Sequence, residues 1–287
     1  MSSILSRRSV LGGGLGGTAL LTVPSFLVGC SKSDAAVVGA AQLSAPSNPF
    51  YSWFGIDPAL IRTVMTELTS RGADFADLYF QHTRSNSIAL EDGIVNNAST
   101  KVDQGVGLRV VVGQQVGYAF TEDLTLPSML AAARTAAAIA TGAPAMAPER
   151  FVLTDPAAFY TLKVPWDQVD VADKLPVLSR TAELAKAKDP AIDKVNVWWS
   201  DSDERTLIAS LDGSIVVDQR PMTRLWLSVT AKKGDAVHSQ SSNLAGRQGF
   251  EWYTDARLDM LAQQAVDRTL VLFEARRPPA GELPVVL

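Results

Sequence analysis

Cysteine and histidine are scarce in this chain. Cys30 is the one cysteine, which excludes an internal disulfide. The two histidines, His82 and His238, are far apart, and neither precedes a glutamate, so the helical H-E-x-x-H pattern is missing. Because histidine supplies most zinc ligands and general bases, the sequence predicts no complete catalytic or metal site of its own.

A strong excess of charge is also missing. Charged residues make up 20% of the 287 residues, hydrophobic residues make up 47%, and the net charge is −4. This balance is ordinary for a folded soluble protein. No basic run is longer than a pair such as Lys232-Lys233. Since nucleic-acid-binding domains usually carry a basic patch, we expect no nucleic-acid partner.

An export signal is predicted at residues 1–30. Arg7 and Arg8 precede an uncharged, apolar and glycine-rich stretch from 10 to 29, which is the order of an export signal. The adjacent arginines favour the twin-arginine route. The alternative is an uncleaved membrane anchor, which the glycines and a proline in this stretch disfavour.

The signal ends in Leu27-Val28-Gly29-Cys30, which resembles a bacterial lipobox. We therefore expect lipidation of Cys30, which would hold the protein at a membrane; simple cleavage nearby, with a chance cysteine, is the alternative. Residues 31–56 are rich in Ser, Ala and Pro and predict a flexible tether. The predicted location is the periplasm or cell envelope, with membrane anchoring through Cys30.

The body predicts an α+β fold, with two subdomains of mainly antiparallel sheet and covering helices. The first, residues 57–145, has a helix from Asp57-Pro58, a meander of about five strands that begins with separate strands at 75–83 and 87–90, and an alanine-rich helix from Leu126. The second spans residues 146–278. Its predicted elements are a helix at 167–188, started or interrupted near Pro176, strands at 195–202, 205–210, 215–219 and 223–232, a polar loop at 235–243, and a helix at 252–273.

Gln104, Gly105 and Gly107 form one candidate contact site. Glycine inside a strand often marks a bulge or the close approach of another backbone, so a bound peptide or partner strand is one explanation. Tight packing within the sheet is the other, and the pattern favours it. A dinucleotide loop is excluded because the third glycine and the following helix are missing.

Other candidate residues have ordinary structural explanations. Glu91-Asp92 is a carboxylate pair suited to acid–base chemistry or cation binding, but the Asp-Gly step that follows predicts a hairpin turn. His82 and His238 lack partners at ligand spacing and are expected on the surface or in a loop. Core packing is the default for the tryptophans, which are Trp198, Trp199, Trp226 and Trp252.

Several strings, taken in their order and spacing, resemble the TldD/PmbA family over about Asp57 to Leu287. They are Asp77–Gln81, Leu90–Gly93, Asp103–Arg109, Gly117–Phe120, Asp212-Gly213, Arg220-Pro221, Arg224-Leu225, Gly246–Glu251 and Pro279–Leu287.

The resemblance implies zinc metallopeptidase chemistry for a full-length member, or the role of its non-metal partner. In the TldD-type subunit an H-E-x-x-x-H helix follows the strand that Pro284–Leu287 resembles; its histidines bind zinc and its glutamate acts as general base. The implied substrate is a peptide, and the implied partner is a paralogous PmbA-like subunit or a second copy in a dimer. No metal or catalytic residue carries over to this sequence, so we expect no cofactor to be bound by this chain.

Two explanations of this expectation stay open. Residues 279–287 are interpreted as the start of a truncated C-terminal metallopeptidase domain, which makes the chain a fragment that is inactive alone. Alternatively, the chain is a natural short form: a non-catalytic envelope lipoprotein that binds a partner subunit or a peptide.

Overall fold

One sheet of seven strands extends through the whole body. The computed structural model describes residues 49–276 except 140, 144 and 155–159, together with 281, 282 and 284. Arg7, Arg8, Cys30 and most of the segment 279–287, interpreted as the start of a further domain, therefore lie outside the described residues. No helix in the described ranges has both the length and the hydropathy needed to cross a membrane.

The sheet carries helices on one face. The helices are α1 (Pro49–Phe54), α2 (Pro58–Leu68), α3 (Leu126–Ile139), α4 (Val171–Lys188) and α5 (Asp255–Leu270). The strands are β1 (Phe75–Glu91), β2 (Ile94–Val112), β3 (Gln115–Thr121), β4 (Val152–Thr154), β5 (Ile192–Ser210), β6 (Ser214–Lys233) and β7 (Ala236–Gly246). Short 3-10 helices lie at Trp166–Gln168, Phe250–Trp252 and Val271–Glu274.

The strand order is β3-β2-β1-β5-β6-β4, and β7 also pairs with β6. All pairs are antiparallel except β4 with β6. The predicted mainly antiparallel α+β fold is confirmed. The two halves of the body nevertheless share one continuous sheet, because β1 pairs with β5 from Asp77↔Ser210 to Glu91↔Asn196.

Several strands are longer than their hydrophobic patterns predict. The segments 75–83 and 87–90 belong to the single strand β1, and the segments 195–202 and 205–210 belong to β5. Polar residues interrupt the apolar alternation at these junctions without breaking the backbone ladder. The predicted polar loop at 235–243 is wrong: these residues belong mostly to strand β7, where polar side chains are tolerated on a partly exposed outer strand.

Helix α1 lies within the predicted tether, residues 31–56. The sequence expectation placed the start of ordered structure near Ile56, but Phe50 is fully buried and its ring lies 6.0 Å from that of Phe80. A helix of six residues is less than two turns long and gives little periodic signal, which explains why the pattern did not predict it.

Local capping and turn signals were more reliable. Asp57 caps α2 by accepting a hydrogen bond from the Leu60 amide at 2.7 Å, and Pro58 occupies the first helical position. Asp92 and Gly93 have positive φ angles of 46° and 85°, as a two-residue type I′ hairpin requires. The turn explanation of Glu91-Asp92 is therefore confirmed. Helix α4 continues through Pro176.

Two hydrophobic clusters lie between the sheet and the helices. The first joins α1, α2 and α3 to β1 and β2, and it includes Leu207 from β5. The second joins α4 and α5 to β5, β6 and β7, and it includes Ile88 from β1. Because each cluster takes side chains from the other half of the sequence, neither is complete without the shared strands.

Helix α3 packs directly on strand β3. A Cβ atom added to Gly117 of β3 would overlap the carbonyl oxygen of Ala136. The glycine therefore sets the distance between helix and strand, since any side chain there would push them apart.

We expect Gly117→Ala to lower the free energy of unfolding by about 1–3 kcal/mol, the usual range for overpacking. Gly246→Ala is the matched control, because its added Cβ would meet other atoms only at 3.5 Å or more; its effect should stay within about 0.5 kcal/mol. Urea denaturation measures both. Equal effects of the two substitutions would contradict the steric explanation.

Candidate binding cleft

A polar band crosses the helix-covered face of the sheet between the two hydrophobic clusters. Along β1 the residues on this face change from apolar to polar and back to apolar, and β5 does the same. The register of β1 against β5 pairs the polar residues of the two strands directly across the ladder, in three cross-strand pairs. The polar band consists of His82 opposite Arg205, Arg84 opposite Asp203, and Asn86 opposite Asp201.

Sequence reasoning missed the polar band, although a signal was present. Phe80 and Ile88 are buried on either side of the three polar positions of β1, and Leu207 and Trp199 are buried on either side of those of β5. Three alternate polar residues inside an otherwise apolar strand face indicate a functional or water-filled strip. The pattern was interpreted as a break between two strands.

Asp201 is the centre of a buried hydrogen-bond network. Its carboxylate lies 2.6 Å from Lys174 Nζ, and both side chains are at most 1% exposed. Asn86 Nδ2 donates to Oδ1 at 2.7 Å, and Trp199 Nε1 donates to Oδ2 at 2.6 Å. Buried charges are tolerated only when they are paired and hydrogen-bonded, and this carboxylate meets both conditions.

Asp203 is also fully engaged. Arg205 Nε donates to its Oδ2 at 3.0 Å, and Gln219 Nε2 donates to its Oδ1 at 2.9 Å. Arg84 lies directly across the strand pair from Asp203 but does not bond to it. The half-buried Arg84 guanidinium forms no hydrogen bond or ion pair with another described residue. It is therefore a cation with free donors.

A cleft of about 370 Å³ lies above the polar band. Its walls are aromatic: Trp53 and Phe54 come from α1, and Trp166 comes from the 3-10 helix before α4. The rings of Trp53 and His82 have centroids 4.7 Å apart. Burial lowers the pKa of His82 because it disfavours the charged imidazolium, and this effect exceeds the opposing effect of Asp203. The cleft thus combines a polar floor, aromatic walls and a neutral imidazole.

The predicted contact residues Gln104, Gly105 and Gly107 border a different pocket, of about 260 Å³. A Cβ at Gly107 would lie 2.9 Å from the hydroxyl of Tyr118, and one at Gly105 would lie 2.9 Å from the Thr121 carbonyl oxygen. Close packing inside the sheet therefore accounts for both glycines. Gln104 lies opposite His82 on β2, and the alternation of the strand places it on the helix-covered face, away from the two glycines.

The histidines and tryptophans separate into different environments. His82 lines the cleft, whereas His238 lies on β7 against Phe273, with ring centroids 4.7 Å apart. Trp199 is 1% exposed, as core packing predicts. Trp198 and Trp226 instead pack on the open face, 5.1 Å apart and 36% and 38% exposed.

The described residues do not fit a zinc ion. No group of three or more His, Cys, Asp or Glu side chains in these ranges is placed to hold a metal. The carboxylates of the polar band are occupied by lysine, arginine and amide donors rather than directed at a common point. No hydrolytic step can be derived from these residues.

Two family domains match the body in order. PmbA/TldA metallopeptidase domain 1 matches residues 76–140, and the PmbA/TldA metallopeptidase central domain matches residues 164–273. The chain belongs to the TldD/PmbA metallopeptidase family. The polar band draws on both domains, because β1 lies in the first match and β5 in the second.

Related proteins agree with this assignment. The chain is 31% identical over 253 residues to the metalloprotease TldD homolog of Haemophilus influenzae, covering 86% of this chain and 52% of that protein. It thus spans about half the length of the curated relatives it matches. A metalloprotease of Methanothermobacter thermautotrophicus is 22% identical over 239 residues, covering 80% of this chain and 50% of that protein.

Solved structures show the same fold. A Thermotoga maritima protein described as a proposed modulator of DNA gyrase aligns with a TM-score of 0.57 and 18% identity, over 72% of this chain and 46% of that one. TldE from Thermococcus kodakarensis aligns with a TM-score of 0.53 and 18% identity, over 73% and 46%.

We expect Lys174→Met to lower the free energy of unfolding by about 3–5 kcal/mol, because it leaves the buried Asp201 carboxylate without its counter-charge. Lys186→Met is the control. Lys186 Nζ lies 3.6 Å from Asp92 in an exposed pair, so its loss should cost less than about 1 kcal/mol. Urea denaturation compares them, and a similar small effect for both would contradict the role assigned to the Lys174–Asp201 pair.

Proposed function

We propose that this chain supplies the first and central domains of an exported TldD-like zinc metallopeptidase, whose metal site lies outside the described residues. The ordered match of both family domains carries the proposal. The 31% identity to a metalloprotease TldD homolog supports it. Alone, the chain contributes binding surfaces rather than hydrolysis.

We further propose that the open sheet face next to β3 contacts the peptide substrate or a partner, either a PmbA-like subunit or a second copy of the chain. Strand β3 is at one edge of the sheet, so it presents backbone groups that an extended strand can pair with. Three of its apolar side chains are more than half exposed: Val116, Tyr118 and Phe120 at 54%, 56% and 67%. Gly105 and Gly107 line the same pocket as Tyr118 and Phe120, and because glycine has no side chain they leave the sheet surface there open to a bound backbone.

The proposal predicts that coding sequence after codon 287 encodes the H-E-x-x-x-H helix. A product that includes this region should hydrolyse peptides and bind zinc, whereas the chain of 287 residues should do neither, because the proposal assigns the zinc ligands and the general base to that helix. Peptidase assays and elemental analysis of both purified proteins make the comparison. Light scattering on the same samples reports dimers.

A histidine-to-alanine change in that helix is the matched control and should abolish hydrolysis while leaving the fold intact. Peptide hydrolysis by the chain of 287 residues alone would overturn the assignment of the metal site. Stable secretion of that chain, with partner binding and no downstream motif, would favour the alternative of a non-catalytic envelope lipoprotein.

For localisation we propose export through the twin-arginine route and lipidation of Cys30. Arg7→Lys combined with Arg8→Lys should leave the protein in the cytoplasm, because the route depends on the arginine pair. Cys30→Ser should still be exported but should lose the lipid and move from the membrane fraction to the soluble fraction. Fractionation with immunoblotting measures both. If the Cys30→Ser protein stays in the membrane, an uncleaved anchor explains the signal better.

A further inference from the structure

We propose that the cleft above the polar band binds the free C-terminal carboxylate of a peptide that ends in an aromatic or large apolar residue, with Arg84 as the carboxylate-binding group. This cleft lies on the helix-covered face of the sheet, on the side opposite the open face next to β3. It is formed by residues of both family domains on the helix-covered side.

Arg84 carries the first step of the argument. Strand pairing fixes its backbone opposite Asp203, the nearest carboxylate across the ladder. That carboxylate already accepts from Arg205 and Gln219 on its two oxygens. Arg84 lines the cleft with its donors unpaired by other described residues, and a planar carboxylate that enters the cleft would accept two parallel hydrogen bonds from it.

The charges of the cleft select an anion with one negative group. Lys174 neutralises Asp201, and Arg205 neutralises Asp203. His82 is held toward its neutral form by burial. Asp167 also lines the cleft, but it is exposed and solvated at the rim. The remaining half-buried charge is the cation of Arg84, which one carboxylate would balance.

The walls select the rest of the ligand. Trp53, which is 48% exposed, and the partly buried Phe54 present aromatic surface to the cleft, and Trp166, which is 2% exposed, also borders it. An aromatic or large apolar side chain would bury its surface against these rings. The volume of about 370 Å³ lies near the lower end of the usual range for small-ligand sites. It suits the terminal residue of a peptide better than a long segment.

The floor is rigid enough to hold such a ligand in one orientation. Asn86 is fixed between Thr100, which donates to its Oδ1 at 2.8 Å, and Asp201, which accepts from its Nδ2. Trp166 Nε1 donates to the Gln248 carbonyl oxygen at 3.0 Å, which fixes that wall. Binding would therefore require little ordering of the protein, which favours affinity.

Isothermal titration calorimetry of the full chain with acetyl-Gly-Gly-Phe tests the proposal. The free acid should bind saturably, and the same peptide with a C-terminal amide should bind at least tenfold more weakly, because the amide lacks the charge that Arg84 recognises. Arg84→Gln should weaken binding of the acid by a similar factor. Arg134→Gln changes an exposed arginine of α3, outside the cleft, and should leave binding unchanged.

Val102→Glu provides a second variant in case Arg84→Gln fails to fold. Val102 is 53% exposed and lines the cleft, so a glutamate is tolerated there and repels a bound carboxylate. It should weaken the acid and not the amide. Equal binding of acid and amide, no saturable heat at millimolar acid, or displacement of the acid by equimolar inorganic phosphate would overturn the proposal. Because calorimetry measures binding and not hydrolysis, a negative result would overturn the carboxylate site without bearing on the metallopeptidase assignment.

Discussion

The pairing of β1 with β5 is the interaction on which the rest of the molecule depends. It is antiparallel and runs from Asp77 to Glu91 on one strand and from Asn196 to Ser210 on the other. Each half of the sequence contributes one of these strands, so the ladder joins the family's first and central domains through backbone hydrogen bonds. Both hydrophobic clusters and the polar band are arranged along this one pair.

The polar band lies where the two hydrophobic clusters meet along that ladder, and Lys174 of α4 is buried against one end of it. Where helices pack, the residues on the covered face are apolar and buried. Between the helix groups the same face carries charged and amide side chains, in which Lys174 of α4 neutralises Asp201 and Arg205 neutralises Asp203, leaving Arg84 as the cation without a described partner. The buried Lys174–Asp201 pair shows how strictly the neutralisation applies where water is excluded.

Local chemistry in the sequence was sufficient for caps and turns, and the pattern of helical and strand segments was sufficient for the fold class. Asp57, Pro58 and the Asp92-Gly93 turn have strong intrinsic preferences that neighbouring residues do not override. Strand lengths were harder to predict, because a polar residue in mid-strand has the same pattern as a loop unless its cross-strand partner is known.

The candidate site could not be predicted from the sequence for a related reason. Arg84 and Asp203 are separated by more than a hundred positions, and only the register of β1 against β5 sets them opposite each other. The glycines Gly105 and Gly107 predicted either a tightly packed sheet or the approach of another chain, and a Cβ at these positions would meet the chain's own Thr121 carbonyl oxygen and Tyr118 hydroxyl. Sequence spacing cannot distinguish internal packing from an external ligand.

The length of β1 has a consequence for how the protein unfolds. At 17 residues, and about 3.3 Å per residue, the strand reaches from the first hydrophobic cluster to the second. Melting either cluster exposes part of a strand that the other cluster also needs. The two family domains are therefore separate segments of the sequence, but we expect them to unfold together as one cooperative unit.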